Sequence, residues 1–136
     1  MTALSITAAN VVAGTNSTRD IGTAGTTITA GQAVYLDTAT NKWLLADTNS
    51  ATAAARVASA IALNSASLNQ PISLHKSGDI TIGATVTAGV AYYLGGTAGT
   101  IVPVGDLTTG DYPQIIGIAK SATVLAVDFQ SAGVAL

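Results

Sequence analysis

Ile28-Thr29-Ala30-Gly31-Gln32-Ala33-Val34-Tyr35-Leu36 returns 58 residues later as Val86-Thr87-Ala88-Gly89-Val90-Ala91-Tyr92-Tyr93-Leu94, with six of nine positions identical. This repeat restricts the fold more than any other feature, because the second copy must fold as the first does. Ile61-Ala62 answers Ile118-Ala119 further on, and Pro71-Ile72-Ser73-Leu74 is echoed by Val124-Leu125-Ala126-Val127. Two copies are too few for a solenoid, which needs at least about three stacked units to bury a continuous core. A length of 136 residues fits one domain large enough to close a core without a disulfide or a metal. The expectation is a single β domain over residues 28–136, built from pseudo-repeat halves at 28–78 and 86–133. Residues 1–27 stand outside the repeat as an N-terminal arm.

Within each copy the periodicity is that of strands. Ala33, Tyr35 and Asp37 alternate with Val34 and Leu36, and Lys42 to Ala46 follows the turn cluster Thr38-Ala39-Thr40-Asn41, as in a hairpin. The second copy repeats the scheme with Ala91 to Leu94, a Gly95-Gly96-Thr97-Ala98-Gly99 connection and Thr100 to Val102. Asp79 to Ile82, Gln114 to Ala119 and Thr123 to Val127 are rich in β-branched residues, which suit a pleated surface. Ser50 to Ala62 scores as helix on its alanines, but the repeat assigns Val57 to Asn64 to a strand and leaves one helical turn near Ala51 to Ala55. In the arm, Leu4 to Thr7 and Asn10 to Ala13 read as strands. The fold class expected is all-β, a compact β-sandwich or barrel of two pseudo-repeats with an extended N-terminal arm.

Only 9% of the chain is charged, with 5 basic and 7 acidic side chains, where soluble domains average about 25%. A monomer of 13.4 kDa exposes roughly 6,500 Å², or about one charge per 500 Å², and such a surface favours association. Disorder requires low hydrophobicity and high charge, and neither holds. Five scattered basic residues give no footprint for nucleic acid or for anionic lipid. The densest apolar stretch, Ala53 to Leu63, is interrupted by Arg56 and Ser59 and is too short to span a membrane. Met1 to Thr7 lacks the basic and apolar regions of a secretory leader, so export is not expected, and the chain has no cysteine to report a redox compartment.

Candidate chemistry is sparse. His75 lies four residues before Asp79, but no G-x-S-x-G supplies a nucleophile elbow; an isolated histidine reads as a structural residue, and no enzymatic activity is expected. The seven acids are all aspartates, placed near turns rather than in the alternating pattern of a calcium loop. No metal and no cofactor is expected. Gly95 to Thr100 lacks the lysine and helix of a phosphate loop and reads as a hairpin tip. Asn16-Ser17-Thr18 fits the glycosylation pattern but is unremarkable in a chain so rich in Thr and Ser. Trp43, Tyr35, Tyr92, Tyr93, Tyr112 and Phe129 are core candidates first, and stacking platforms for a sugar or a protein second.

The order ITAGQAVYLD (28–37), NKWLLAD (41–47), ARVASAIALN (55–64), QPISL (70–74), SGDITIGATVTAGVAYYL (77–94) and GDYPQIIGIAKSATVL (110–125) resembles the small capsid cement, or head decoration, proteins of tailed bacteriophages. In that pattern glycine precedes the Ile-Ala pair, as Gly117 precedes Ile118; Ala60 stands there in the first copy. The resemblance implies a virion protein on the outer face of the capsid, a homotrimer that binds the major capsid protein and holds neighbouring subunits together, with no catalytic residues. A glycan-binding or host-adhesion module using Trp43 or the paired tyrosines is the alternative. An ice-binding face built on Thr27-Ile28-Thr29 and Thr85-Val86-Thr87 has too few threonines for a regular array. The apolar positions of the arm, Leu4, Ile6, Val11, Val12 and Ile21, are the expected partner interface: burying each yields roughly 1.5–3 kcal/mol, and the repeat does not obviously need them. On this reading the arm packs on a neighbouring subunit or the capsid by strand addition.

Overall fold

The computed structural model describes residues 3–136 and is all-β. Its strands are β1 (Val11–Ala13), β2 (Thr18–Thr23), β3 (Ala33–Asp37), β4 (Lys42–Leu45), β5 (Ala60–Ala62), β6 (Pro71–Ile82), β7 (Ala91–Leu94), β8 (Ile101–Pro103), β9 (Gln114–Ala119) and β10 (Val124–Ser131). They form a curled antiparallel sheet, a half-barrel in which the order β4-β3-β5-β6-β10-β9-β7-β8 runs through both copies of the repeat. The first four positions and the last four mirror one another about the β6–β10 pair.

The repeated sequence makes the same hydrogen bonds twice. Thr29-Ala30-Gly31-Gln32 and Thr87-Ala88-Gly89-Val90 are turns closed by Gln32 N–H to the Thr29 carbonyl (3.2 Å) and Val90 N–H to the Thr87 carbonyl (3.1 Å). Gly31 (φ +93°) and Gly89 (φ +85°) hold their third positions, the left-handed conformation that a type II turn demands there. From these turns β3 and β7 enter the sheet, with Ala33 opposite Ile61 and Ala91 opposite Ile118. Ala62 then faces Leu74 as Ala119 faces Leu125. The last correspondence corrects the alignment of Leu74 with Val127 by two residues, a slip that keeps the side chain on the same face.

The two copies differ where glycine does. At Gly117 an added Cβ would run into the Ala126 carbonyl, and the β7–β9 register shifts alongside, between Tyr92 and Tyr93. Ala60 is accommodated in the first copy, fully buried, so the close approach belongs to the second copy alone. The alanine-rich segment forms a 3-10 turn over Ala53–Arg56 and a strand over Ala60–Ala62. That strand is shorter than the expected Val57 to Asn64 because the Ala58 backbone is engaged by the Gln114 side chain. Its N–H donates to Gln114 Oε1 and its carbonyl accepts from Nε2, both at 2.7 Å.

The 12-residue β6 joins the halves. Thr18 pairs with Ser77 and Arg19 with His75, which leaves Lys76 without a partner in a bulge. A bulge interrupts the two-residue alternation of a strand, and the two ends of β6 serve different cores. Ile72 and Leu74 join Val34, Trp43, Ala60 and Ala62 in one; Ile80 and Ile82 join Tyr92, Leu94, Ile101, Ile116 and Leu125 in the other. The larger core also takes in Tyr35 and Ile61 from the back of the first half.

The arm expected to pack on a neighbouring subunit or the capsid is paired instead with its own chain. Residues 1 and 2 lie outside the described residues, but β1 pairs with β6 (Val11 opposite Ile82, Ala13 opposite Ile80) and β2 pairs with it from Thr18 to Thr23. Ahead of β1, Leu4 N–H bonds the Ile101 carbonyl (2.9 Å) and Thr7 N–H the Gly83 carbonyl (2.8 Å). Beyond β2, Gly25 N–H reaches the Trp43 carbonyl on β4 (2.8 Å). The segment therefore closes both halves. Leu4 and Ile6 pack against the larger core, and Val11 is part of it. The reason is edge satisfaction: a repeat unit of paired strands still has an open side, and unpaired backbone there is costly.

Deleting residues 1–15 should accordingly destabilise the whole domain by more than about 4 kcal/mol, since three core side chains worth roughly 1.5–3 kcal/mol each are removed. Urea denaturation followed by circular dichroism checks this, and an unchanged midpoint would refute it. Gln114→Ala should cost about 2–4 kcal/mol, because it strands two buried backbone groups of Ala58.

Candidate functional site

Alternation along β1 and β2 divides the five expected interface residues. Val11 points into the core; Val12, its neighbour, is 58% exposed, and Ile21 is 74% exposed. Ile21 stands opposite Ser73 on β6, and Leu63, just past the end of β5, bonds the Ser73 carbonyl through its N–H from the other side (2.8 Å), so Ile21, Ser73 and Leu63 form a row. With Val12, Arg19, Asp20 and Asn64 they line a shallow groove of about 540 Å³. A second groove of about 630 Å³ shares Val12 and is lined by hydroxyl and small side chains, among them Ser5, Thr7, Thr81, Thr85 and Thr123. Val12 is the ridge between the two.

This surface offers two aliphatic side chains in water, a fringe of hydroxyls, and one charge of each sign. The Asp20 carboxylate accepts the Ile21 N–H (2.8 Å), which covers one backbone donor of β2, a common way to keep a sheet edge from pairing indiscriminately. Leu4 and Ile6, the other expected interface residues, are partly buried against the chain's own core, as Val11 is wholly so.

The other singled-out residues are spread through the fold. His75 is fully buried; its Nε2 bonds the Gly78 carbonyl (2.9 Å), and Nδ1 has no partner. Burial holds its pKa below the ordinary 6.5. The Asp79 carboxylate is bonded instead to Lys120 Nζ (2.8 Å), which holds its pKa below the ordinary 3.8. The histidine and the aspartate are thus engaged separately. Asp37 caps its turn through Ala39 N–H and the Thr40 hydroxyl, and Asp111 through Thr108 N–H. Asn16 accepts the Asp79 N–H through its side chain (3.0 Å). Trp43, Tyr35 and Tyr92 are buried; Tyr93, Tyr112 and Phe129 are half-buried. Among the described residues no three histidine or acidic side chains come together to hold a metal, and no helix is long and apolar enough to cross a membrane.

Leu63 and Ser73 joined Val12 and Ile21 without a signal in the sequence, because only the β2–β6 register and the Leu63 N–H bond to the Ser73 carbonyl set them side by side. Neither protein-family models, nor curated proteins, nor solved structures match this chain.

Val12→Ala and Ile21→Ala should each change folding stability by less than about 0.5 kcal/mol, as exposed surface positions do. Ile80→Ala, at a fully buried position, should cost about 2–5 kcal/mol. Chemical denaturation of the three variants checks the division; a large loss at Ile21 would show that it packs inward.

Proposed function

We propose that the protein is a structural component of a tailed-bacteriophage virion, a cement protein that sits on the outer face of the capsid and ties neighbouring major capsid subunits together. The observation that carries this reading is the groove under Val12 and Ile21: aliphatic side chains held in water on a surface with few charges. An exposed apolar patch bordered by polar groups is the mark of a protein-binding surface. The sequence resemblance supplies the identity of the partner and the trimeric state. Multivalency supplies the strength, since weak contacts repeated over a symmetric lattice combine into tight attachment.

The glycan-binding alternative is less well supported. Trp43 and Tyr92 would have to leave the core to stack on a sugar, and the Tyr92 hydroxyl is already an acceptor for Thr87 N–H (2.9 Å).

Mixed with capsids of its virus, the purified protein should co-sediment at a fixed ratio to the major capsid protein and raise the temperature at which the shell opens. Val12→Lys and Ile21→Lys should weaken attachment at least tenfold, the equivalent of about 1.4 kcal/mol, while leaving the melting temperature of the free protein unchanged. A folded protein that never sediments with capsids but binds immobilised glycans would replace this reading with the alternative.

A further inference from the structure

We propose that His75 is an acid-sensitive latch: protonation at Nδ1 releases β2, and the loop before it, from β6. The inference rests on where the imidazole sits. His75 lies beside the β6 bulge, flanked by Ile61 of β5 on one side and Arg19 of β2 on the other. Its Nε2 faces the Gly78 carbonyl and so carries the ring hydrogen, which leaves Nδ1 as a bare, buried nitrogen with no partner. A second proton would arrive where no acceptor stands to receive it.

The surrounding charges decide which strand gives way. From β2, Arg19 stands directly opposite, and like charges in directly opposed positions of a sheet repel. From β6 itself, Asp79 is the nearest carboxylate, but it is bonded to Lys120, which follows β9, and its backbone N–H is bonded to Asn16. Lys76, next in the chain, lies over the Trp43 ring (5.0 Å) on the other face of the strand. β5 contributes Ile61 and no charge. An imidazolium would therefore meet an arginine across the ladder and a carboxylate already taken. On β2, Thr18 to Ile21 are all exposed.

The direction follows from linkage. The folded histidine titrates below 6.5, so between that value and its lowered folded pKa the open state binds more protons, and the closed latch weakens as pH falls. Asp79 behaves differently: its pKa is also lowered, and its contribution persists until pH falls below the ordinary 3.8.

Residue-resolved hydrogen exchange on the full chain at pH 7.5 and 5.0, corrected for the intrinsic rate at each pH, tests the latch. Protection in 14–23 and 71–78 should fall about tenfold or more at pH 5.0, while β7, β9 and β10 keep theirs. His75→Gln, which cannot titrate, should remove the difference between the two pH values. Arg19→Gln, at an exposed position that leaves the fold intact, should reduce the loss at pH 5.0. Equal protection at both pH values, a uniform loss over the whole chain, or an Arg19→Gln protein that responds like the wild type would overturn the proposal.

Discussion

Pairing along both edges of β6 is the constraint on which the rest depends. β5 and then β10 occupy part of its length, and β2 and β1 stand across from them. Without the N-terminal segment the sheet would keep its order from β4 to β8, but a row of backbone groups and the sides of both cores would face water. A chain with 9% charged residues has little means of keeping such an opening soluble. Closure by residues 3–25 is thus part of the fold.

The bulge at Lys76 does the complementary work. A regular strand of twelve residues would present one apolar face; the interruption lets Ile72 and Leu74 serve one core and Ile80 and Ile82 another. It also places His75 at the meeting point of β2, β5 and the larger core. Duplication is therefore not symmetric in its outcome. Ile61 is buried behind the first half, whereas its counterpart Ile118 is 50% exposed.

Much of this was legible in the sequence, because a repeated hairpin carries its own register. The hairpins at Ala33 and Ala91 and the strands at Gln114 and Val124 follow from alternation, turn chemistry and the comparison of two copies; the turns at Gly31 and Gly89 emerge only in the structure. What was hidden is non-local. Pro71 to Leu74 and Asp79 to Ile82 stand as two distinct runs in the sequence, yet one strand, β6, contains both. Leu4, Ile6 and Val11 looked superfluous because the repeat could be drawn without them; nothing in a linear pattern states which edge a unit leaves open. Within the candidate site, the outward direction of Val12 follows from alternation with Val11, but the juxtaposition with Ile21, Leu63 and Ser73 depends on non-local pairing to β6.

The claim that the N-terminal segment closes its own domain has a direct test in a chain that contains no cysteine. Val12 on β1 stands opposite Thr81 on β6, a cross-strand spacing of about 4.5–5.5 Å that a disulfide can bridge. The double variant Val12→Cys/Thr81→Cys, oxidised and analysed by mass and by non-reducing electrophoresis, should form the bond within one chain and run as a monomer. Covalent dimers or higher oligomers formed through that pair would show the segment seated on a neighbour and contradict the account.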